Sequence, residues 1–426
     1  MQIHKSIAYK SPSNNNFLLK ACRFPILLVK KLGQRLLGAV LRQCFQNPSP
    51  ISAFRTIWIC ALLVGEVLIF QYAMRKCSWP ESVQWDKSLA EPYRIALIAD
   101  PQIIDDYSYG RTGLLQKISE IYPDMYMRKN WINMQSIFDP DAVIFMGDLM
   151  DGGREWDDEK WEIELYRYQQ LFLPKKPEQR IFHLVGNHDV GFGEKLVRGA
   201  LQRFRKTFGK TNYKVNLGNH SIVVLDTVTL SGSDESIRKE GLKIIGELAN
   251  DTSNQFPRIL MTHVPLYRPP NKDCGPQRQG SSYINQNTGY QYQNLVDEPL
   301  TNFILDNVKP KLIFSGDDHD YCEITHEKWN AFEVSVNSFS FAMGVERPGF
   351  VLLSLYNPQT VDDSAALPNQ HIRRTTESLP QWHLYQQRGD LILLKGQYWK
   401  SVGKALLDIG VVGVMTYLIC WLWFLV

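Results

Sequence analysis

The chain has 426 residues, 44% hydrophobic and 21% charged, which excludes wholesale disorder and allows a sizeable core without disulfide staples. Seven cysteines are too few for a disulfide scaffold. The net charge of +3 hides an asymmetry: residues 1–65 hold nine Lys/Arg and no acid, and the rest carries 38 basic against 44 acidic residues, which disfavours nucleic acid as a partner.

The basic stretch, residues 1–55, reads as a cytosolic tail. Within it, Pro25–Leu41 places Val29, Leu32, Leu36 and Val40 at helical spacing, with Lys30, Lys31 and Arg35 between them. That suits an amphipathic helix on an anionic membrane lipid surface, and equally a solvated basic tail. Thr56–Met74 follows, 19 residues with one charge, Glu66. At ~1.5 Å per residue it is long enough for a membrane-spanning anchor, and it lies too far along the chain for a cleavable leader. The alternative is a buried core helix. Residues 409–426, 18 residues without charge, read as a second span. The basic tail orients the first span, so the body between the two is expected on the lumenal side; Lys395, Lys400 and Lys404 argue mildly the other way.

In the body, residues 75–356, short apolar runs of strand length recur at 94–100, 142–148, 181–187, 221–226, 258–264, 311–317, 332–338 and 350–356. Helical patterns lie between them, at 114–138, 155–173, 194–208, 235–248 and 300–308. The alternation predicts an α/β domain. Residues 357–408 are expected to be a linker, polar over 357–390.

Five strand ends carry side chains that bind metals: Asp100-Pro101-Gln102, Gly147-Asp148-Leu149-Met150-Asp151, Gly186-Asn187-His188-Asp189, Thr262-His263 and Gly316-Asp317-Asp318-His319. A lone GNHD is more simply a helix cap, and a lone His more simply a core side chain. Carboxylate, amide oxygen and imidazole at successive strand ends instead suit divalent cations in one crevice. Two such ions can hold a phosphate between them and acidify a water. There is no G-x-S-x-G motif and no P-loop.

This ordered set resembles the calcineurin-like metallophosphoesterases over about residues 94–356. The resemblance implies a four-layer αββα sandwich, here expected to be flanked by two transmembrane helices, with two divalent ions. Asp148 matches the carboxylate bridging both ions, Asp100 and His319 match ligands of the first, and Asn187 and His263 match ligands of the second. His188 matches the group acting on the phosphate or leaving group, and Asp151 the carboxylate orienting it. Gln102 and Asp317 stand where most of the family has His, which makes the donor set oxygen-rich and favours Mn²⁺ over Zn²⁺. HVPLYRP (His263–Pro269), SGDDHDYCE (Ser315–Glu323) and the flanking apolar segments resemble the endoplasmic-reticulum (ER) phosphodiesterases that remove an ethanolamine-phosphate branch from a mannose of glycosylphosphatidylinositol (GPI) anchors. That resemblance implies a GPI glycan or GPI-anchored protein as substrate. Alternatives are a lumenal phosphatase or nucleotide phosphoesterase, or a non-catalytic metal-handling protein.

The long insertion at residues 268–294 leaves the strand end that bears His263. Its Tyr283, Tyr290 and Tyr292 suit stacking on sugar faces, and Arg268 is a candidate phosphate contact. The plainer reading is a mobile polar loop. One disulfide among Cys77, Cys274 and Cys322 fits an oxidising lumen. His183 reads as core, and His220 and His326 lack a ligand context.

Overall fold

The computed structural model describes residues 50–75, 77–79, 92–251, 256–356 and 381–386. The chain divides into two compact units, residues 1–76 with 176–178, and 77–175 with 179–426. In the first, the described residues form α1 (Pro50–Leu63), a π-turn (Val64–Leu68) and α2 (Ile69–Arg75). The expected span over Thr56–Met74 falls on this helical run, which the π-turn divides into two α-helices. No helix among the described residues is long and apolar enough to cross a membrane. The division is the wider turn around Gly65 and Glu66, in which Ile69 N–H reaches back five residues to Val64 O. The amphipathic segment at 25–41 and the second span at 409–426 lie outside the described residues.

The second unit holds two facing sheets. The first has the order β13 (Gln381–Gln386), β12 (Val351–Tyr356), β1 (Tyr93–Ile98), β2 (Ala142–Phe145) and β3 (Arg180–His183). The second has the order β10 (Cys322–His326), β11 (Ala331–Ser335), β9 (Leu312–Ser315), β6 (Arg258–Met261), β5 (His220–Val224) and β4 (Tyr213–Leu217). The central strands β1–β2–β3 and β11–β9–β6–β5 are parallel. Alternate residues make the core between the sheets: Ile95, Leu97, Ile144, Leu353 and Leu355 face Ile222, Val224, Ile259, Met261 and Phe314.

Helices cover the outer faces. Helix α3 (Gly113–Ile137) sets Trp131 against Phe145, and α4 (Asp158–Leu171) sets Tyr168 against it from the other side. His183 stacks on Phe145 with centroids 5.2 Å apart, so it is a packing side chain as expected. The short α5 (Asn187–Val190) is followed by α6 (Arg198–Phe208), and α7 (Thr227–Leu230) follows β5. Helices α8 (Glu235–Asn250) and α9 (Glu298–Val308) lie along the second sheet, where Arg258 of β6 donates to Asp251 O (3.1 Å) and Val308 O (3.0 Å).

Five described strands, β4, β7, β8, β10 and β13, escape the pattern of apolar runs. β4 joins β5 through Gly218-Asn219, both with positive φ (52° and 56°), the backbone of a two-residue hairpin turn. The insertion folds back as a small hairpin, β7 (Thr288–Gly289) with β8 (Tyr292–Gln293). Within the expected linker, β13 pairs antiparallel with β12 from Val351↔Gln386 to Tyr356↔Gln381, because β12 would otherwise leave its outer edge unpaired. The rest of that linker lies outside the described residues.

Candidate metal centre and active site

Every candidate ligand follows the carboxyl end of a parallel strand: Asp100 and Gln102 after β1, Asp148 after β2, Asn187 after β3, His263 after β6, and Asp317 and His319 after β9. They therefore meet on one rim of the sandwich. The backbone is strained to present them. Asp100 (φ 45°), Gln102 (40°), Asp148 (48°), Asp317 (62°) and His319 (66°) are all left-handed, a conformation costing roughly 1–2 kcal/mol for a residue with a Cβ. Such strain gathers where function needs it. At Gly147 (φ 103°) a Cβ would lie 2.4 Å from His263 Nδ1, so the strand end can approach the imidazole only as glycine.

His263 shows what the site is built to hold. Its Nδ1–H donates to Met146 O (2.9 Å), which fixes the tautomer and leaves the Nε2 lone pair facing inward. Three oxygens converge on that nitrogen: Asn187 Oδ1 at 3.2 Å, Asp148 Oδ1 at 3.3 Å and Asp317 Oδ1 at 3.5 Å. Bonds of ~2.0–2.2 Å to one shared cation leave neighbouring donors roughly 3 Å apart. Donor atoms of Asp100, Asp148 and His263 lie within 4.8 Å of one another. Asp100 Oδ2 and Gln102 Oε1 are buried with no hydrogen-bond partner, as donors awaiting a cation would be. Burial and the charges of Asp148 and Asp317 push Asp100 well above the usual carboxylate range. Burial would lower His263, yet Asp148 and Asp317 raise it well above the normal imidazole value. Both shifts register uncompensated negative charge. The donor set fits divalent cations, and Gln102 fits by its oxygen because its amide NH₂ is engaged elsewhere.

That NH₂ donates to Asp151 Oδ1 (2.9 Å), and Ser108 Oγ donates to Asp151 Oδ2. Asp151 Oδ1 and Asp151 O each lie 2.9 Å from His188 Nδ1. The His188 backbone N–H donates to Asp148 Oδ1 (2.8 Å), which ties the GNHD loop to the metal-binding carboxylate. Burial would lower His188, but Asp148 and the Asp151 hydrogen bond raise it to about 9. These groups favour the imidazolium, with its Nδ1–H held by Asp151. His319 is held by the Ser338 N–H to its carbonyl (2.8 Å), and burial lowers its imidazole against the pull of Asp317 and Asp148. Its ring is within electrostatic reach of Asp317, Asp148, His188 and His263, at the edge of the cluster of Asp100, Asp148 and His263.

Sequence reasoning assigned no role to several supports. Asp189 is fully buried, accepts from Leu149 N (3.1 Å), Met150 N (3.3 Å) and Gly186 N (2.9 Å), and is raised to about 7 by burial and Asp148. It ties the GDLMD loop to the GNHD loop, and its place within GNHD was the available signal. Gln291, from the insertion, accepts through its carbonyl from Asn187 Nδ2 (3.2 Å), which turns Asn187 Oδ1 toward His263. The two acids around His319 secure the insertion: Asp318 forms a two-pronged ion pair with Arg278, and Asp320 accepts from Gln279 N (2.8 Å) and Gly280 N (2.9 Å). Cys274 and Cys322 form a disulfide, bolting the insertion to β10, while Cys77 is buried outside that bridge. The insertion is thus an ordered strap on the site.

The assignment of Arg268 to substrate phosphate is corrected. Arg268 is 1% exposed, pairs with Glu333 at 2.9 Å and donates to Leu266 O (3.2 Å). Glu333 also accepts from Leu266 N (3.0 Å), Ser315 Oγ (3.0 Å) and His326 Nε2 (2.6 Å). Arg268 is a buried brace between the loop after His263 and β11, whose Glu333 in turn holds Ser315 of β9. Tyr290 and Tyr292 stand exposed on the small hairpin, Tyr290 at 71%, and Tyr283 is half-buried.

With this geometry in view, the match to known proteins is specific. The model of the calcineurin-like phosphoesterase family matches residues 93–321. The chain belongs to the calcineurin-like phosphoesterase family. Cell division control protein 1 of Saccharomyces cerevisiae is 41% identical over 318 residues, covering 72% of this chain and 64% of that protein's own length. Metallophosphoesterase 1 of Xenopus laevis is 26% identical over 319 residues, covering 68% of this chain and 76% of that protein. Among solved structures, a dimetal phosphatase from Danio rerio covers 63% of this chain and 94% of its own, at 14% identity and a TM-score of 0.40. The family is one of phosphoesterases, and the donor set of this chain fits the metal ions such chemistry needs. Two divalent ions supply charge neutralisation and an acidified water in this family's chemistry. The chain's own residues hold the ligand oxygens and keep a proton ready on His188.

Proposed function

We propose that this calcineurin-like phosphoesterase is a phosphodiesterase that removes an ethanolamine-phosphate branch from a mannose of a GPI glycan. The observation that carries the reading is the Asp151–His188 pair beside Asp148. An imidazole raised to about 9 is a proton donor matched to a sugar alkoxide, a poor leaving group that needs one. Water adds to phosphorus, the bond from phosphorus to the mannose oxygen breaks, the departing alkoxide takes the His188 proton to become the mannose hydroxyl, and the proton shed by the water restores His188 through solvent. The strap bearing Tyr283, Tyr290 and Tyr292 supports recognition of sugar faces. The closeness to the yeast and Xenopus proteins supports the same subgroup.

The reading puts the second unit in the lumen of the ER, associated with its membrane, and the Cys274–Cys322 bridge supports an oxidising compartment. Mn²⁺ is the proposed ion, because Gln102 and Asp317 bring oxygen where imidazole is commoner. The test is mass spectrometry of a GPI glycan before and after incubation with purified protein and Mn²⁺. Loss of ethanolamine phosphate is expected, and Asp148→Asn should abolish it. Turnover of free nucleotides with none on the glycan overturns the substrate assignment.

A further inference from the structure

The outer face of α3 is apolar where it should be polar. Leu114 is 75% exposed, Leu115 58%, Ile118 51%, Ile121 54% and Met125 42%. These positions recur at helical spacing on the side turned away from the sheet, while Trp131, Met127 and Met134 fill the inner side. The carboxylates of this stretch are drawn aside: Gln116 Nε2 donates to Glu120 (2.9 Å), and Arg167 of α4 grips Asp124 (2.6 and 2.9 Å). Cations remain near the start of the stripe, with Lys117 exposed and the Arg111 guanidinium 4.6 Å over the Tyr109 ring. A soluble surface rarely leaves so continuous a stripe without a partner.

The stripe starts at the site. The loop between Gln102 and α3 carries Ser108, which donates to Asp151, and Tyr107, 74% exposed. An object lying along α3 would therefore reach the rim where His188 waits.

We propose that the α3 face of Leu114, Leu115, Ile118, Ile121 and Met125 docks on a lipid bilayer and presents the metal rim to phosphodiesters at its surface. Aliphatic side chains, rim tyrosines and flanking Lys/Arg, with the acids turned away, are the chemistry of an interfacial helix. A bilayer is favoured over a second protein because the same chain exposes large apolar side chains elsewhere: Ile57, Leu62, Val64 and Leu68 in the helical run of its first unit. Docking deepens the proposed function, since a lipid-linked glycan would be met at that surface.

The test uses the full chain in phosphatidylcholine–phosphatidylserine vesicles, with p-benzoylphenylalanine placed at Ile118 or, as a control, at exposed Phe303 on α9 of the other helical layer. Irradiation should give a lipid adduct at position 118 about tenfold above that at 303. An adduct with a second copy or with another segment of this chain, or equal labelling at both positions, overturns the proposal. A second arm uses the triple variant Leu114→Ser, Ile118→Asn, Ile121→Asn. It should turn over water-soluble bis(p-nitrophenyl) phosphate unchanged and lose about tenfold against a vesicle-embedded phosphodiester, because only the latter depends on local concentration at the surface. Equal loss on both substrates, or none on either, refutes it. The crosslinking arm needs no glycan, so docking can fail while the substrate reading stands, and the reverse.

Discussion

Replacing Glu333 by Gln tests whether Arg268 is a brace or a substrate contact. Glu333 lies fully buried and holds four groups at once: Arg268, Leu266 N–H, Ser315 Oγ and His326. Burial acts to raise its pKa, but Arg268 and His326 hold it below the usual value, so it is the anion of the cluster. The variant keeps the shape and removes the charge, leaving the Arg268 guanidinium buried without its counterion. Removing one member of a buried pair costs about 3–5 kcal/mol. At about 2–4 °C per kcal/mol for a unit of this size, the melting temperature should fall by roughly 10 °C. Calorimetry of the wild type, Glu333→Gln, Arg268→Met and the double variant Arg268→Met/Glu333→Leu gives the answer. Each single change should destabilise strongly, and the double should recover much of the loss, because no uncompensated charge remains. KM for a soluble phosphodiester should change little in any variant that stays folded. A large rise in KM for Arg268→Met with unaltered stability would refute the reasoning and return Arg268 to the substrate.

His188→Gln should lower kcat about 10²–10⁴-fold for an alkoxide leaving group and far less for p-nitrophenolate, which departs without a proton. His188 is raised to about 9 and acts in its protonated form, so the wild-type rate holds below that value and falls as pH rises through it. Nearby divalent cations move that midpoint lower, and the alkaline limb should vanish in the Gln variant. Gln102→His with Asp317→His should keep the fold and shift metal content from Mn²⁺ toward Zn²⁺ or Fe, read by elemental analysis; unchanged metal content and rate in Gln102→Ala and Asp317→Ala would show that neither is a ligand. The sequons Asn219-His220-Ser221, at the β4–β5 turn, and Asn250-Asp251-Thr252, at the end of α8, should carry N-glycans if the unit is lumenal, seen as a glycosidase-sensitive mobility shift lost in the double Asn→Gln variant. Absence of glycan, with the unit open to protease in intact microsomes, would invert that placement.

Much of the site was legible along the chain because its parts are local. Asp100, Asp148, Asn187, His263 and Asp317 each follow a short apolar run, and parallel strands with covering helices carry such strand ends to one rim. The eight apolar runs all became strands, since a buried parallel strand must be apolar on both faces. The helical patterns at 114–138 and 235–248 became Gly113–Ile137 and Glu235–Asn250 because their periodicity reports the face that packs. The half-exposed β4 and the two-residue strands of the insertion carry no comparable apolar signal, so only pairing partners define them.

By itself, then, the order of residues determined the alternation of strands and helices and the metal-ligating strand ends, all set by short-range pattern, while the pairing of Asp151 with His188, 37 positions apart, was implied only by family resemblance. Tertiary structure alone decided what lies across long separations. Arg268 meets Glu333, 65 positions away, and becomes a brace because a buried guanidinium needs a counterion. Cys274 finds Cys322 across 48 residues, and Gln291 reaches Asn187 across 104, turning a polar stretch that composition marks only as loop into a strap over the site. Partners of this kind are chosen by which strands lie side by side, and sheet order is settled by the packing of the whole core.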